Sequence, residues 1–351
     1  MGCRAALAET KSRSWMTAAC GLAKARDRAI PHNRSMHLLI PFAFCSADGC
    51  RQALPTLQLP NLTQLLKRLT PEPLDAGDEF SLSLPHERAL SRALGLAAPD
   101  GLIPWAAQQA VHMDLTRPQA TGAWAFITPC NWQIRTNHIA MSGAALPDFS
   151  EAASRTLLAA MQPYFAEDGI ALHYAQPNRW LAQGAVFADL ASASLDRVVG
   201  RNVENWIPRS PQAAALRRLQ NEMQMLLYTH PENDAREAHG LPPVNSFWLS
   251  GSGALPAAWS PRAPDMALLE VSTLRTAALN EDWTTWVQAW QALDATECAA
   301  LLAALARGEN GQITLCGERH AQTWQARPQP FFKKFMNLFG TPPPSSCLES
   351  L

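Results

Sequence analysis

The chain has 351 residues, 47% hydrophobic and 17% charged, with a formal net charge of −1. That length favours two domains or one large domain with an insertion, and the composition is that of a globular protein with a substantial core. The near-neutral balance excludes a global field for nucleic acid or an anionic membrane, no basic helix-turn-helix pattern stands out, and no apolar run reaches bilayer-spanning length.

The first 35 residues look foreign to the fold. They carry Arg4, Lys11, Arg13, Lys24, Arg26, Arg28 and Arg34 against Glu9 and Asp27, with no apolar core of signal-peptide length. They read as an extension upstream of the true start, or as a short tethering arm. Met36 opens MHLLIPFAFC, a short apolar run expected as a buried strand. Pro55 to Leu69 reads as a loop entering an amphipathic helix with Leu62, Leu65, Leu66 and Leu69 on one face, capped by Asn61 or Thr63. His86 to Leu96 predicts another helix. Ala123 to Thr128 predicts a strand, followed by a turn at Pro129, Cys130 and Asn131.

Glu151 to Phe165 predicts a helix, and Gly169 to Tyr174 with Arg179 to Phe187 predicts a hairpin-like pair. Gln212 to Tyr228 is the clearest helix, stopped by Pro231. Val244 to Leu249 reads as a strand closed by a Ser250–Gly253 turn. Glu281 to Leu293 carries Trp283, Trp286 and Trp290 at helical spacing, and Gln312 to Cys316 is a short strand. Twelve tryptophans against three tyrosines point to core packing. Strands separated by helices indicate an α/β protein. The expected division is an extension over 1–35, a core over 36–147 and 262–340, an inserted α+β region over 148–261, and a disordered tail over 341–351.

Eight cysteines occur without a CxxC; Cys45 and Cys50 are the closest pair, too isolated for a zinc site. They read as reduced thiols of a cytoplasmic protein. No HExxH, GxSxG, P-loop or strand-following GxGxxG is present.

The densest polar stretch is Leu226 to Gly253. His230, Asn233 and Arg236 surround a proline at a helix start, where free N–H groups and a guanidinium suit an anion. An Asn/Asp cap beside a surface arginine explains the same residues. Asn245 and the turn Ser250, Gly251, Ser252, Gly253 offer backbone donors, and tight-turn geometry accounts for the glycines equally well. Arg197 and Arg201, four apart, would share a helix face and clamp an anion, or pair with nearby acids.

The segment from His230 to Gly253 resembles archaeal-type cofactor-independent phosphoglycerate mutases, through His230, Pro231, Asn233, Arg236, Gly240, Pro243, Asn245 and the Gly251–Gly253 turn. Leu57 to Leu66 and Gln312 to Pro330 resemble two further stretches of that family. From Met36 to Phe339 the chain resembles the RpfE-type regulatory proteins of bacteria. The resemblance implies an alkaline-phosphatase-like (phosphomutase-like) core sheet flanked by helices. It also implies two divalent metals held by Asp and His. The sequence departs from that ligand set. Pro41, Phe42 and Ala43 follow the first strand where an acid belongs, with Asp48 only later. Leu59 and Thr63 replace the Thr and Asp of a Thr-Pro-Asn-x-Asp motif. Gly317-Glu318-Arg319 stands for Gly-Asp-His, with His320 one place late. An Asp-x3-His pair is missing between Leu274 and Asp282.

The expectation is therefore a non-catalytic regulatory or binding protein, needing no cofactor, that takes a small phosphorylated or carboxylated metabolite at His230, Asn233, Arg236, Asn245, Ser250, Gly251 and Gly253, with Arg197 and Arg201 as helpers. One alternative is an active metal-dependent mutase or phosphatase. Another is a protein-partner scaffold using the tryptophan helix.

Overall fold

The computed structural model describes residues 35–115, 122–260, 266–327 and 344–351. The basic N-terminal stretch up to residue 34 and the segment 328–343 lie outside them. In chain order the elements are β1 (Met36–Ile40), α1 (Asp48–Ala53), α2 (Pro60–Arg68), β2 (Thr70–Pro71), β3 (Asp75–Ala76), α3 (Pro85–Ala93) and α4 (Trp105–His112). Then come β4 (Trp124–Cys130), β5 (Trp132–Ile134), β6 (Ile139–Met141), α5 (Glu151–Glu167), β7 (Ala171–Gln176), β8 (Arg179–Gln183), α6 (Leu195–Val198), α7 (Ala214–Tyr228), α8 (Pro231–Ala238) and β9 (Ser246–Gly253). The chain closes with β10 (Ala267–Glu270), α9 (Thr273–Leu279), α10 (Trp283–Leu293), α11 (Ala299–Ala306), β11 (Gly311–Cys316), β12 (His320–Gln325) and α12 (Pro344–Glu349).

The result is a mixed α/β structure. The larger sheet runs β10-β1-β11-β12-β2, with β1 parallel to β10 and β11, and β12 antiparallel to β11. A continuous apolar run suits a strand covered on both faces, and every residue of β1 is buried. The polar His37 is accommodated by a ladder across three strands: its Nε2 lies 2.9 Å from Thr314 Oγ1, which lies 2.9 Å from Thr323 Oγ1.

On this sheet α2 buries Leu62, Leu65 and Leu66, with Leu69 buried just beyond its end. Its cap differs from expectation. Neither Asn61 nor Thr63 serves; the buried Asp294 carboxylate, at the start of the π-helical stretch Asp294–Cys298 after α10, accepts the N–H groups of Asn61 (3.1 Å) and Leu62 (2.7 Å). A carboxylate from elsewhere thus meets the positive end of the helix. Thr63 instead bonds back to the Leu59 carbonyl at 2.7 Å.

A second, antiparallel sheet runs β7-β8-β4-β9. α5 and α7 cover one face through Leu157, Phe165, Leu216, Leu219 and Met223, and the small residues of α4 cover Trp124 and Leu181. Thus β4 sits inside the second sheet, although the compositional pause at Pro147 placed it with the core. β4 also continues through Pro129 and Cys130, where a turn was expected. Its pairing with β8 ends at Ile127, so beyond that point one side of the strand is open and a proline without an N–H breaks no ladder bond.

Ser250–Gly253 likewise proves to be strand, not turn. β9 continues to Gly253 through a register shift opposite Trp124 and Phe126. Gly251 adopts φ 60°, and a Cβ there would meet Phe126 at 2.9 Å and Trp105 at 3.2 Å. The glycines therefore serve a close approach to the start of α4.

Residues 344–349, expected in a disordered tail, are helical, and Leu348 and Leu351 are buried in the larger core. The Leu351 carbonyl accepts the His320 N–H at 2.9 Å. Among the described residues no helix is long and apolar enough to cross a membrane.

Candidate functional site

β10, β1 and β11 present their carboxyl ends at one edge of the larger sheet, the place where open α/β sheets hold ligands. β1 leaves through Pro41 and Phe42, and Phe42 stands at φ 55°, which strains a residue with a side chain. Helix α10 holds the turn: Trp286 Nε1 donates to the Phe42 carbonyl at 3.0 Å and Trp290 Nε1 to the Ala43 carbonyl at 3.2 Å. Ala43 N–H then donates to Cys316 O at 2.8 Å, extending the ladder past the strand end. The chain runs on through Cys45 and Ser46 into α1.

β11 turns into β12 through Gly317-Glu318-Arg319, and Glu318 is where these paths meet. One carboxylate oxygen accepts the Ser46 N–H at 2.9 Å and the Ser46 hydroxyl; the other accepts from Arg201. Burial opposes this charge, but the Ser46 hydroxyl and Arg201 prevail and hold the carboxyl below its ordinary range. Arg88 and Arg197 clamp the same turn through its backbone. Arg88 donates to the Arg319 carbonyl and Arg197 to the Glu318 carbonyl, each at 3.1 Å.

Arg197 is 1% exposed, with its guanidinium 5.5 Å from the Trp206 ring centre. Among the described residues its Nε and Nη2 have no hydrogen-bond partner, and neither has the Ser194 hydroxyl one turn earlier. Burial first, and the Arg201 charge second, bring its pKa down to about 10. This is a buried cation short of negative charge.

Behind it, Arg275 of α9 forks onto the Asp196 carboxylate. His86 Nε2 lies 3.8 Å from Asp196, but burial lowers the imidazole to about 4, so it is neutral at pH 7 and the contact is no ion pair. Burial, and then the Asp196 charge, push Glu87 up to about 8, leaving it mostly protonated at neutral pH. One Glu87 oxygen accepts the Leu84 N–H at 3.1 Å.

These side chains do not fit a divalent-metal centre. Glu318 is taken by a serine and an arginine, His320 Nδ1 accepts the Gly77 N–H at 3.3 Å, and Asp48 is exposed in α1. Among the described residues no group of three or more His, Cys, Asp or Glu side chains is placed to hold a metal, so Asp48, His230, Glu318 and His320 form no such group.

The sequence-predicted residues fall into two places. Arg197 and Arg201 come together at Glu318, though not through a shared helix face, because α6 ends at Val198. The others lie in the α7–α8–β9 region and bond mainly to backbone. His230 Nδ1 accepts the Glu232 N–H at 3.1 Å and caps α8. Asn233 donates to the carbonyls of Leu227 (2.8 Å) and Val244 (2.7 Å) and accepts the Val244 N–H (2.7 Å). Arg236 donates to the carbonyls of Pro242 and Pro147, both at 2.9 Å. Asn245 accepts the Trp132 N–H at 2.7 Å and donates to the Trp132 carbonyl at 2.8 Å. Ser250 and Gly253 are buried within β9, and Gly251 is half-buried.

Sequence reasoning did not assign Ser46, Glu87, Asp196, Arg275 or Glu318 to a site. The one signal available was the Gly317-Glu318-Arg319 turn itself, a charged turn leaving a buried strand; the others carry no local pattern.

No protein-family model matches the chain, and no curated protein is significantly similar to it. Among solved structures, the cofactor-independent phosphoglycerate mutase of Thermoplasma acidophilum aligns at 14% identity over 83% of this chain and 89% of its own, with a TM-score of 0.35. A Pyrococcus horikoshii protein aligns at 11% identity over 84% of this chain and 87% of its own, with a TM-score of 0.43. Both similarities are weak in geometry as well as in sequence, and the functional reading rests on this chain's own side chains.

Proposed function

We propose that this chain is a non-catalytic binding protein that takes a small phosphorylated or carboxylated anion between Arg197 and Arg201 at the strand ends. One observation carries the reading: Arg197 is buried with two unpartnered donor nitrogens, Nε and Nη2, beside a second guanidinium. An unpaired buried donor costs about 1–3 kcal/mol, more when charged, and an anion removes that cost. Glu318 supplies one negative charge to the pair and acts as an internal stand-in. An incoming phosphate competes with it for Arg201 and frees the 317–319 turn, which gives binding a regulatory output. His230, Asn233, Arg236, Asn245, Ser250, Gly251 and Gly253 then have a scaffolding role. The free cysteines of the described residues suit a reducing, cytoplasmic setting.

The test is calorimetric titration with inorganic phosphate and with glycerol 3-phosphate. Arg201→Gln should weaken binding about tenfold or more, the loss of one charge-assisted contact of ~1.5–3 kcal/mol, while Arg236→Gln should leave affinity unchanged in whatever protein folds. Equal affinity in Arg201→Gln and the wild type removes this site. Manganese-dependent, chelator-sensitive hydrolysis of p-nitrophenyl phosphate would overturn the non-catalytic part of the reading.

A further inference from the structure

Cys45 and Cys50 lie at the same strand end, yet neither takes part in the anion reading. They flank the segment Ser46–Gly49, in which Ser46 and Asp48 are exposed while both cysteines are buried. The Cys45 N–H donates to Cys50 Sγ at 3.4 Å, which places the two residues in direct contact with Cys50 as the accepting sulfur. Interaction with each other, ahead of burial, pushes Cys45 up and Cys50 down, and the Cys45 N–H favours negative charge on the Cys50 sulfur. The remaining described cysteines differ. Burial raises Cys130, Cys298 and Cys316 well above the ordinary thiol range, and it raises the half-buried Cys347 as well.

We propose that Cys45 and Cys50 form a redox-active dithiol that a hydroperoxide oxidises to a Cys45–Cys50 disulfide, pulling Ser46 away from Glu318. The Cys50 thiolate attacks the peroxide oxygen. The O–O bond breaks, hydroxide or alkoxide leaves, and Cys50 becomes a sulfenic acid. The Cys45 sulfur then attacks the Cys50 sulfur, the S–O bond breaks, and the S–S bond forms as water departs with the Cys45 proton. Two electrons pass from sulfur to the peroxide; with hydrogen peroxide the by-products are two waters. A disulfide needs its two Cβ atoms about 3.5–4.5 Å apart. The Cys45–Ser46 peptide carries one of the two Ser46 donors to Glu318, so a backbone shift at Cys45 on forming the bond is felt at that contact. The inference stands apart from the anion reading, because the bond can form whether or not phosphate binds.

The experiment uses the full chain and hydrogen peroxide. Trypsin cleavage after Arg34 and Arg51 releases a peptide, residues 35–51, whose only cysteines are Cys45 and Cys50. After oxidation this peptide should lose two hydrogens and resist alkylation, and dithiothreitol should restore both. The Cys45→Ser and Cys50→Ser variants should show no such loss, and the peptides carrying Cys130, Cys298 and Cys316 should stay alkylatable. Hydrogen exchange in the 317–320 segment should rise severalfold on oxidation of the wild type and not of either variant. A peptide 35–51 that stays alkylatable, or that gains oxygen without forming the disulfide, overturns the dithiol. Unchanged exchange at 317–320 in the oxidised protein overturns its link to Glu318.

Discussion

Two clusters of polar residues in this chain have almost opposite constructions. The α7–α8–β9 segment gathers its histidines, asparagines and arginine within a short stretch of sequence, and those side chains bond to nearby backbone. The strand-end cluster draws single residues from distant segments, and they bond to one another: Ser46 to Glu318, Arg201 to Glu318, Arg275 to Asp196. In the first, the polar atoms close gaps in the backbone ladder, where an orphaned carbonyl or N–H would be costly. In the second, charges face charges at a sheet edge and two donor nitrogens of Arg197 are left over. Polar density along a sequence therefore does not separate scaffold from site. What the polar atoms bond to does.

Asn233 distinguishes the two clusters most sharply. It is 3% exposed and makes three hydrogen bonds to backbone. Asn233→Ala should destabilise the fold by about 3 kcal/mol, at roughly 1 kcal/mol per bond, read as a lower urea midpoint, with phosphate affinity unchanged in the folded fraction. Lost affinity at unchanged stability would return Asn233 to a ligand site.

An effect graded with pH belongs to the strand-end cluster. Glu87 keeps its proton up to about 8 in the fold, against ~4.3 in an unfolded chain. The folded state binds more protons across that window, so stability falls as pH rises through it, by at most ~1.4 kcal/mol per pH unit. His86 acts with the opposite sign lower down: neutral in the fold to about 4, it makes stability fall as pH drops below ~6.5. Urea midpoints from pH 5 to 8.5 should show Glu87→Gln flattening the alkaline side. The wild-type slope persisting in that variant would mean that the Glu87 carboxyl is solvated.

The smallest effect expected is at His230, whose ring nitrogen caps α8. His230→Ala should cost about 1 kcal/mol, as other caps do, without changing phosphate affinity. A tenfold weaker affinity would join the two clusters into one site.

Much of the fold is legible because periodicity is a local signal. The apolar run of β1, the leucine face of α2 and the long helices α5 and α7 all read directly from spacing. The extension of β9 is not legible: Ser250-Gly251-Ser252-Gly253 has turn composition, and only the approach of Phe126 and Trp105 shows why a strand needs glycine there. Nor does composition reveal that Leu348 and Leu351 pack into the core. The strand-end cluster is the least legible part. Ser46 and Glu318 are 272 residues apart, Arg201 and Glu318 117, and Asp196 and Arg275 79. Such pairs leave no spacing pattern. The arginines were visible, and their shared partner was not.

The two indoles that brace the turn after β1 also give the molecule an optical gauge. Trp286 and Trp290 are fully buried and bonded through their N–H groups to the carbonyls of Phe42 and Ala43. Their N–H groups hold the loop that leads to Cys45 and Ser46, so a shift of that loop at the sheet edge alters the surroundings of two buried fluorophores in α10.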